Sequence, residues 1–253
     1  MKSTALHRFR LKLQANEPVY GLWVTLEAAA VSDIAAGLGF DWIVIDAAHG
    51  HLDWAEVLEH IRATARSETV ALVRLPGVSP ELIKRALDLG ADGVLISGSE
   101  TADQLQSIVE KARASHNPSG QPSANDTEES DASVFIVPVV NLERDEPRLR
   151  EMSSIEGVDF FFFELQASSA PSSASMRAKQ DAMLVEIRNH GKHAGIVGES
   201  DEALREYQER EFRVLGVGPD AAIIRRGIQS TLEAVEQATK SRSRLDGNST
   251  QPG

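Results

Sequence analysis

Short runs of β-branched and aromatic residues recur along the chain, each followed by a longer stretch whose apolar residues fall at helical spacing. The runs are residues 20–26 (YGLWVTL), 42–46 (WIVID), 70–74 (VALVR), 93–97 (GVLIS), 134–140 (VFIVPVV), 158–165 (VDFFFFEL), 194–197 (AGIV) and 212–217 (FRVLGV). Such near-continuous apolar character suits strands of a parallel sheet covered on both faces. The helical stretches carry recognisable starts. Ser79 is placed to cap, Pro80 fits the first turn, and Glu81 suits the positive end of the dipole. Asp53 and Thr101 precede helical runs in the same way, and Gly39, Gly90 and Gly191 close others. The reading is eight strand–helix units, strand first and helix last, with no element assigned to the segment before residue 20. Eight equal units predict a (β/α)8 TIM barrel. An open doubly wound sheet is the rival, but no Gly-x-Gly-x-x-Gly turn follows the first strand.

Three stretches fall outside this pattern: 115–133 (SHNPSGQPSANDTEESDAS), 167–175 (ASSAPSSAS) and the residues from 241 (SRSRLDGNSTQPG). They bury too little apolar surface to offset chain entropy, so the sequence predicts mobile loops near 115–133 and 167–175 and a disordered tail over 241–253. A single barrel domain over 1–240 accounts for the rest.

Composition narrows the partners. The 38 acidic and 26 basic residues give a net charge of −12, which argues against nucleic acid and against anionic membrane surfaces. Cysteine is absent, which removes disulfides and thiolate chemistry. No apolar run approaches the ~20 residues of a membrane span, and the start (MKSTALHRFRLKLQANEP) does not read as a secretory signal. A soluble, cytoplasmic protein is the expectation.

In such a barrel the working face is the rim at the C-terminal strand ends. Read at those addresses, the sequence offers Glu27, Asp46 to His51, Arg74, Ser97 to Glu100, Asn141 to Glu143, Glu164 to Ala167, Glu199 and Asp220. His49 is the first candidate, because a histidine exchanges protons near neutral pH and two small residues before it leave room for a ligand. His51 reads as a surface or capping neighbour. His60, His116, His190 and His193 are assigned no chemistry. Arg74, at a strand end inside the barrel, must meet a carboxylate, either structural or on a substrate, the latter being preferred. Asp88, near the end of the helix after the third strand, is a candidate to orient a histidine. Glu27, Glu143 and Glu199 are further rim carboxylates that read first as solvated charge.

These residues in this order resemble the HpcH/HpaI aldolase family, the class II pyruvate aldolases. The resemblance begins at Gly21-Leu22-Trp23 and runs through GFDWIVIDAAHG (39–50), VRLPGVSPELIKRALDLGADGVLI (73–96), EGVDFFFFE (156–164), GKHAGIVGES (191–200) and RVLGVGPDAAIIRR (213–226). It implies a phosphoenolpyruvate/pyruvate-type barrel and an aldolase-type carbon–carbon lyase, cleaving a 4-hydroxy-2-oxo acid to pyruvate and an aldehyde. It also implies a divalent metal, Mg2+ or Mn2+, held by two carboxylates and stabilising the pyruvate enolate as a Lewis acid. Residue by residue, His49 falls on the family's base, Arg74 on its enolate-stabilising arginine and Asp88 on the aspartate that pairs with the histidine. Trp23, Asn141 and Glu164 are the substrate-binding candidates.

The resemblance departs at the metal. Asn141 stands where the first ligand, a Glu, is expected, and Ala167 where the second, an Asp, is expected. Ala48 replaces a Glu before the histidine, and Glu164 replaces a glycine. No metal ligand is therefore assigned. Glu164 enters the former metal space in one of two ways, rebuilding a ligand or filling the site. A rival function is a barrel that keeps the scaffold without catalysis and binds a small acid. A third is metal-free isomerisation or hydrolysis with Glu164 as the working carboxylate. Relatives imply a homo-oligomer, trimer or hexamer, whose last helix packs on a neighbouring subunit, and 221–240 has the apolar spacing to do so.

Overall fold

The computed structural model describes residues 2–49, 52–98, 101–116, 134–164 and 174–247. Of the stretches expected to form mobile loops, 115–133 and 167–175, residues 115–116 and 174–175 belong to helices, while 117–133 and 167–173 lie outside the described residues, as do the tail beyond 247 and His51, Ser99 and Glu100.

Eight parallel strands close into a barrel in sequence order: β1 (Val19–Val24), β2 (Trp42–Asp46), β3 (Val70–Leu75), β4 (Gly93–Ser97), β5 (Phe135–Val140), β6 (Phe160–Phe163), β7 (His193–Val197) and β8 (Val214–Pro219). The predicted (β/α)8 barrel is the observed fold. Following the strands are α2 (Ala30–Gly37), α3 (Trp54–Thr64), α4 (Pro80–Asp88), α5 (Ala102–His116), α6 (Leu149–Ser153), α7 (Ala174–Asn189), α8 (Asp201–Glu209) and α9 (Asp220–Gly247). The caps work as their residue types dictate. Asp53 accepts from the backbone N–H of Ala55 and Glu56, and Glu56 reaches back to complete a capping box. Ser79 accepts from Leu82 N–H, with proline in the first turn. Gly39, Gly90 and Gly191 each take a positive φ, as helix-closing residues do.

Two expectations are corrected. A helix, α1 (Lys2–Gln14), precedes the first strand. Its Ala5, Leu6, Phe9 and Leu13 lie on one face and are buried against the inside of the barrel. Phe9 packs at a tilt against Phe135 and stacks on Phe160, with ring centroids 4.9 and 5.8 Å away, so α1 closes the N-terminal end. The second correction is the tail: α9 continues through Gly247, seven residues into the segment expected to be disordered. Elongating an existing helix adds one hydrogen bond per residue fixed, and SRSRLD contains no residue that stops it.

Alternation along each strand sorts the side chains into two cores. One set, including Leu22, Ile43, Val73 and Ile96, faces the surrounding helices. The other fills the barrel with an aromatic-rich stack in which Trp23, Trp42, Phe135, Phe160 and Phe162 are essentially inaccessible. Gly21 makes room for it, since a Cβ there would stand 1.9 Å from the Trp42 ring. The topmost layer sets the floor of the site: Trp23 and Phe162 meet at 5.3 Å between centroids.

Candidate active site

The same alternation that buries Val44, Leu72, Leu95, Val139 and Phe162 carries the next inward positions, Asp46, Arg74, Ser97, Asn141 and Glu164, to the C-terminal mouth. Five strands thus deliver five polar side chains in a ring above the Trp23–Phe162 floor.

Asp46 is the centre of one half. Its Oδ2 accepts from Trp23 Nε1 at 2.9 Å and from Arg74 Nη1 at 3.1 Å. Its Oδ1 accepts from the backbone N–H of Ala48 at 3.0 Å and of His49 at 2.9 Å. The carboxylate is almost wholly buried, and four donors replace the water it has lost. Asp46 and Arg74 are direct partners in the β2–β3 register, which is why the ion pair forms without any adjustment of the backbone. The Arg74 guanidinium also lies over the Trp23 ring, 5.3 Å from its centroid.

Arg74 therefore meets a structural carboxylate, but that contact uses only part of the guanidinium. Its Nε is buried and has no hydrogen-bond partner among the described residues, and neither has Ser97 Oγ. A buried donor left without a partner costs about 1–3 kcal/mol.

The candidates fare differently. His49 stands on the mouth with its ring two-thirds exposed, its Nδ1 3.8 Å from Asp46 Oδ1, while its backbone is held by the same carboxylate. Trp23 lies beneath the polar ring, and its indole N–H is used by Asp46. Asp88 is not brought to the histidine. It sits exposed at the end of α4 and pairs with Lys84 one turn earlier at 2.6 Å; the carboxylate beside His49 is that of Asp46. Asp46 went unassigned in the sequence because a carboxylate ending a strand gives no local sign of what it accepts. The spacing Asp46-x-x-His49 was the available signal.

On the other half of the mouth Asn141 Nδ2 donates to Glu164 Oε2 at 2.7 Å. Asn141 Oδ1 accepts from the backbone N–H of Glu143 and Arg144, at 2.9 and 3.3 Å, and its own N–H donates to the buried Asp145. These contacts fix the amide with its NH2 toward Glu164 and its oxygen toward the loop. A divalent cation needs lone pairs from oxygen, and here the one carboxylate is faced by an amide N–H donor. The described residues at the ends of β5 and β6 do not fit an ion held by two carboxylates.

The barrel gathers a buried arginine and aspartate and an exposed histidine at the C-terminal rim, the face where (β/α)8 barrels carry their functional sites. The HpcH/HpaI aldolase/citrate lyase family model matches residues 19–196, and the chain belongs to that family. It is similar to a hydroxypyruvate/pyruvate aldolase from Agrobacterium fabrum, 30% identical over 236 residues, covering 85% of this chain and 88% of that one. A hydroxypyruvate/pyruvate aldolase from Sagittula stellata is 29% identical over 240 residues, covering 87% and 94%. Among solved structures, a family member from Burkholderia cenocepacia superposes with a TM-score of 0.79 at 24% identity, covering 90% of this chain and 99% of that one. That likeness bears on the fold.

Proposed function

We propose that the chain is an aldolase-type carbon–carbon lyase acting on a 2-oxo acid, releasing pyruvate or a close analogue and an aldehyde. The observation that carries this reading is Arg74: a guanidinium at the end of β3, fixed through Nη1 by the Asp46 carboxylate that also holds the His49 backbone. Cleavage of a 4-hydroxy-2-oxo acid breaks the C3–C4 bond and leaves its electrons on an enolate, whose oxygen needs a fixed positive donor. A preorganised guanidinium in a site closed below by Trp23 and Phe162 supplies one without reorganising. His49, on the exposed side of the mouth, takes the proton of the C4 hydroxyl as the aldehyde forms. The names of relatives support the substrate class: hydroxypyruvate/pyruvate aldolases, and a 4-hydroxy-2-oxo-heptane-1,7-dioate aldolase from Escherichia coli at 24% identity. No step is assigned to a metal, because the Asn141–Glu164 pair does not offer its donor set.

The reading includes a homo-oligomer. On α9 the residues Ile224, Ile228, Leu232 and Val235 form an exposed apolar stripe at helical spacing. Beside its first turns lies a groove of about 680 Å3 lined by Ile34, Leu38, Phe40, Leu204 and Ile223. The stripe of a second copy matches that groove in chemistry, and a helix of 28 residues is long enough to leave its own barrel.

The test follows the methyl protons of pyruvate in D2O and the release of pyruvate from 4-hydroxy-2-oxo acids. Wild type should exchange and cleave, and Arg74→Ala should lose about 100-fold or more in kcat/KM. Wild-type protein that exchanges no faster than buffer, with or without Mn2+ or Mg2+, overturns the reading.

A further inference from the structure

Glu164 stands across the mouth from Arg74, and the two are linked through the floor. Arg74 lies over Trp23, Trp23 packs on Phe162, and Glu164 is the next inward position after Phe162. Its backbone is tied into the sheet by Glu164 N–H to the Val140 carbonyl at 2.9 Å. Its side chain is half-buried and held through Oε2 by an amide that is itself locked, so this carboxylate is positioned to within one hydrogen bond. Among the described residues Oε1 accepts no hydrogen bond. A carboxylate held this firmly at the rim, with one oxygen spare, has the character of a base rather than of solvated surface charge.

We propose that Glu164 is the residue that moves the proton at C3 of the 2-oxo acid, acting opposite Arg74, and that Asn141 is its positioning residue. The inference rests on the 2-oxo-acid reading above. With Arg74 on the oxygens of C1 and C2, the methyl carbon of pyruvate is directed away from the guanidinium, toward the opposite wall. Glu164 Oε1 takes a proton from C3; the C–H electrons form the C2=C3 bond, and the carbonyl π electrons pass to O2, where Arg74 donates. In the cleavage direction the flow reverses: the enolate's C3 takes the proton from the Glu164 carboxylic acid and pyruvate leaves, after which His49 gives its proton to water and Glu164 regains one from water. His49 and Glu164 thus divide the two proton transfers, the hydroxyl proton to His49 and the carbon proton to Glu164. The amide of Asn141 keeps Oε2 engaged in both charge states, which leaves Oε1 as the oxygen that changes protonation.

The experiment compares wild type with Glu164→Gln, Glu164→Asp, Asn141→Ala, Arg74→Ala and His49→Ala. Four quantities are read: C3 deuterium exchange of pyruvate, cleavage of a 4-hydroxy-2-oxo acid, binding of oxalate by calorimetry, and binding of Mn2+ by electron paramagnetic resonance. Glu164→Gln keeps the volume and can still accept from Asn141. It should lower C3 exchange by about 100-fold or more, abolish the acid limb of its pH profile, and leave oxalate affinity within about threefold. Glu164→Asp, which retracts the carboxylate, should fall between. Asn141→Ala should lower the maximal exchange rate with little change in KM. His49→Ala should keep exchange and lose cleavage. If Glu164→Gln exchanges like wild type while Arg74→Ala does not, the assignment of Glu164 is wrong and the 2-oxo-acid reading stands. If wild-type exchange requires Mn2+ and Glu164→Gln weakens Mn2+ binding in step with activity, Glu164 is a ligand and the proposal is overturned. A wild type that neither exchanges pyruvate nor binds oxalate removes both.

Discussion

Asp46 and Arg74 face each other in register across β2 and β3, joined by a 3.1 Å Nη1–Oδ2 bond, with both side chains about 5% exposed or less. The pair does two things at once. It cancels a charge that the barrel could not otherwise hold, and it fixes the guanidinium over the Trp23 ring. Asp46 has no water to fall back on, so its four donors depend on it as much as it depends on them.

Replacing Asp46 by Asn should therefore be costly. The amide NH2 would confront an N–H whichever way it turned, and Arg74 would lose its counter-charge. Breaking one side of a buried pair costs about 3–5 kcal/mol. Urea unfolding of Asp46→Asn should show a loss in that range; a loss below about 1 kcal/mol would mean that water replaces the pair.

Arg74→Met keeps length and apolar contact with Trp23 while removing the charge. Oxalate or pyruvate affinity should drop at least tenfold, equal to about 1.4 kcal/mol of binding. Calorimetry that finds unchanged affinity would assign anion binding elsewhere.

Acidification should destabilise the fold through two histidines, one buried and one half-buried. His60, fully buried with Nδ1 2.7 Å from Ser32 Oγ, has its pKa lowered by burial, against the opposing pull of the Leu26 carbonyl, Asp220 and Glu56. His193 is lowered by burial and by Arg213 and Arg188. The folded protein resists protonation at both, while the unfolded chain takes its protons near pH 6.5. Their contribution is thus complete above about pH 6.5 and shrinks as pH falls below it toward the lower folded values. The urea midpoint should decline over that window, and His60→Gln should decline less steeply than wild type. An equal slope in the two proteins would contradict the assignment.

Phe9→Ala tests the helix that closes the barrel. Removing a buried ring that contacts Phe135 and Phe160 should cost about 3–5 kcal/mol in equilibrium unfolding. A cost under about 1 kcal/mol would show that α1 is an appendage to a barrel complete without it.

Ile228→Glu with Leu232→Glu tests the apolar stripe of α9. Both side chains are more than half exposed in one chain, so a monomer should tolerate them with little loss of stability. Sedimentation equilibrium should show the mass falling to that of a single chain. An unchanged mass would place the contact between copies on another face.

The barrel could be read from the chain because its signal is local and repeated. Parallel strands covered on both faces must be apolar throughout, and the caps at Asp53 and Ser79 answer to the residues immediately around them. Strand ends then placed His49, Arg74, Asn141 and Glu164 on the rim, and the family resemblance singled out the last two. What the chain could not declare was pairing between distant residues. Asp46 and Arg74 are 28 positions apart, and Asn141 and Glu164 are 23 apart. Only closure of the barrel gave Asp46 its four donors and turned the Asn141 amide toward Glu164. Closure also left Asp88 facing Lys84 on the outside, because the end of a helix after a barrel strand lies away from the C-terminal rim. The N-terminal helix was hidden for the same reason: its apolar face of four residues is short, and it acquires meaning only from the open end of the barrel it fills. Local chemistry determined the elements; the register of the closed sheet decided which charges meet.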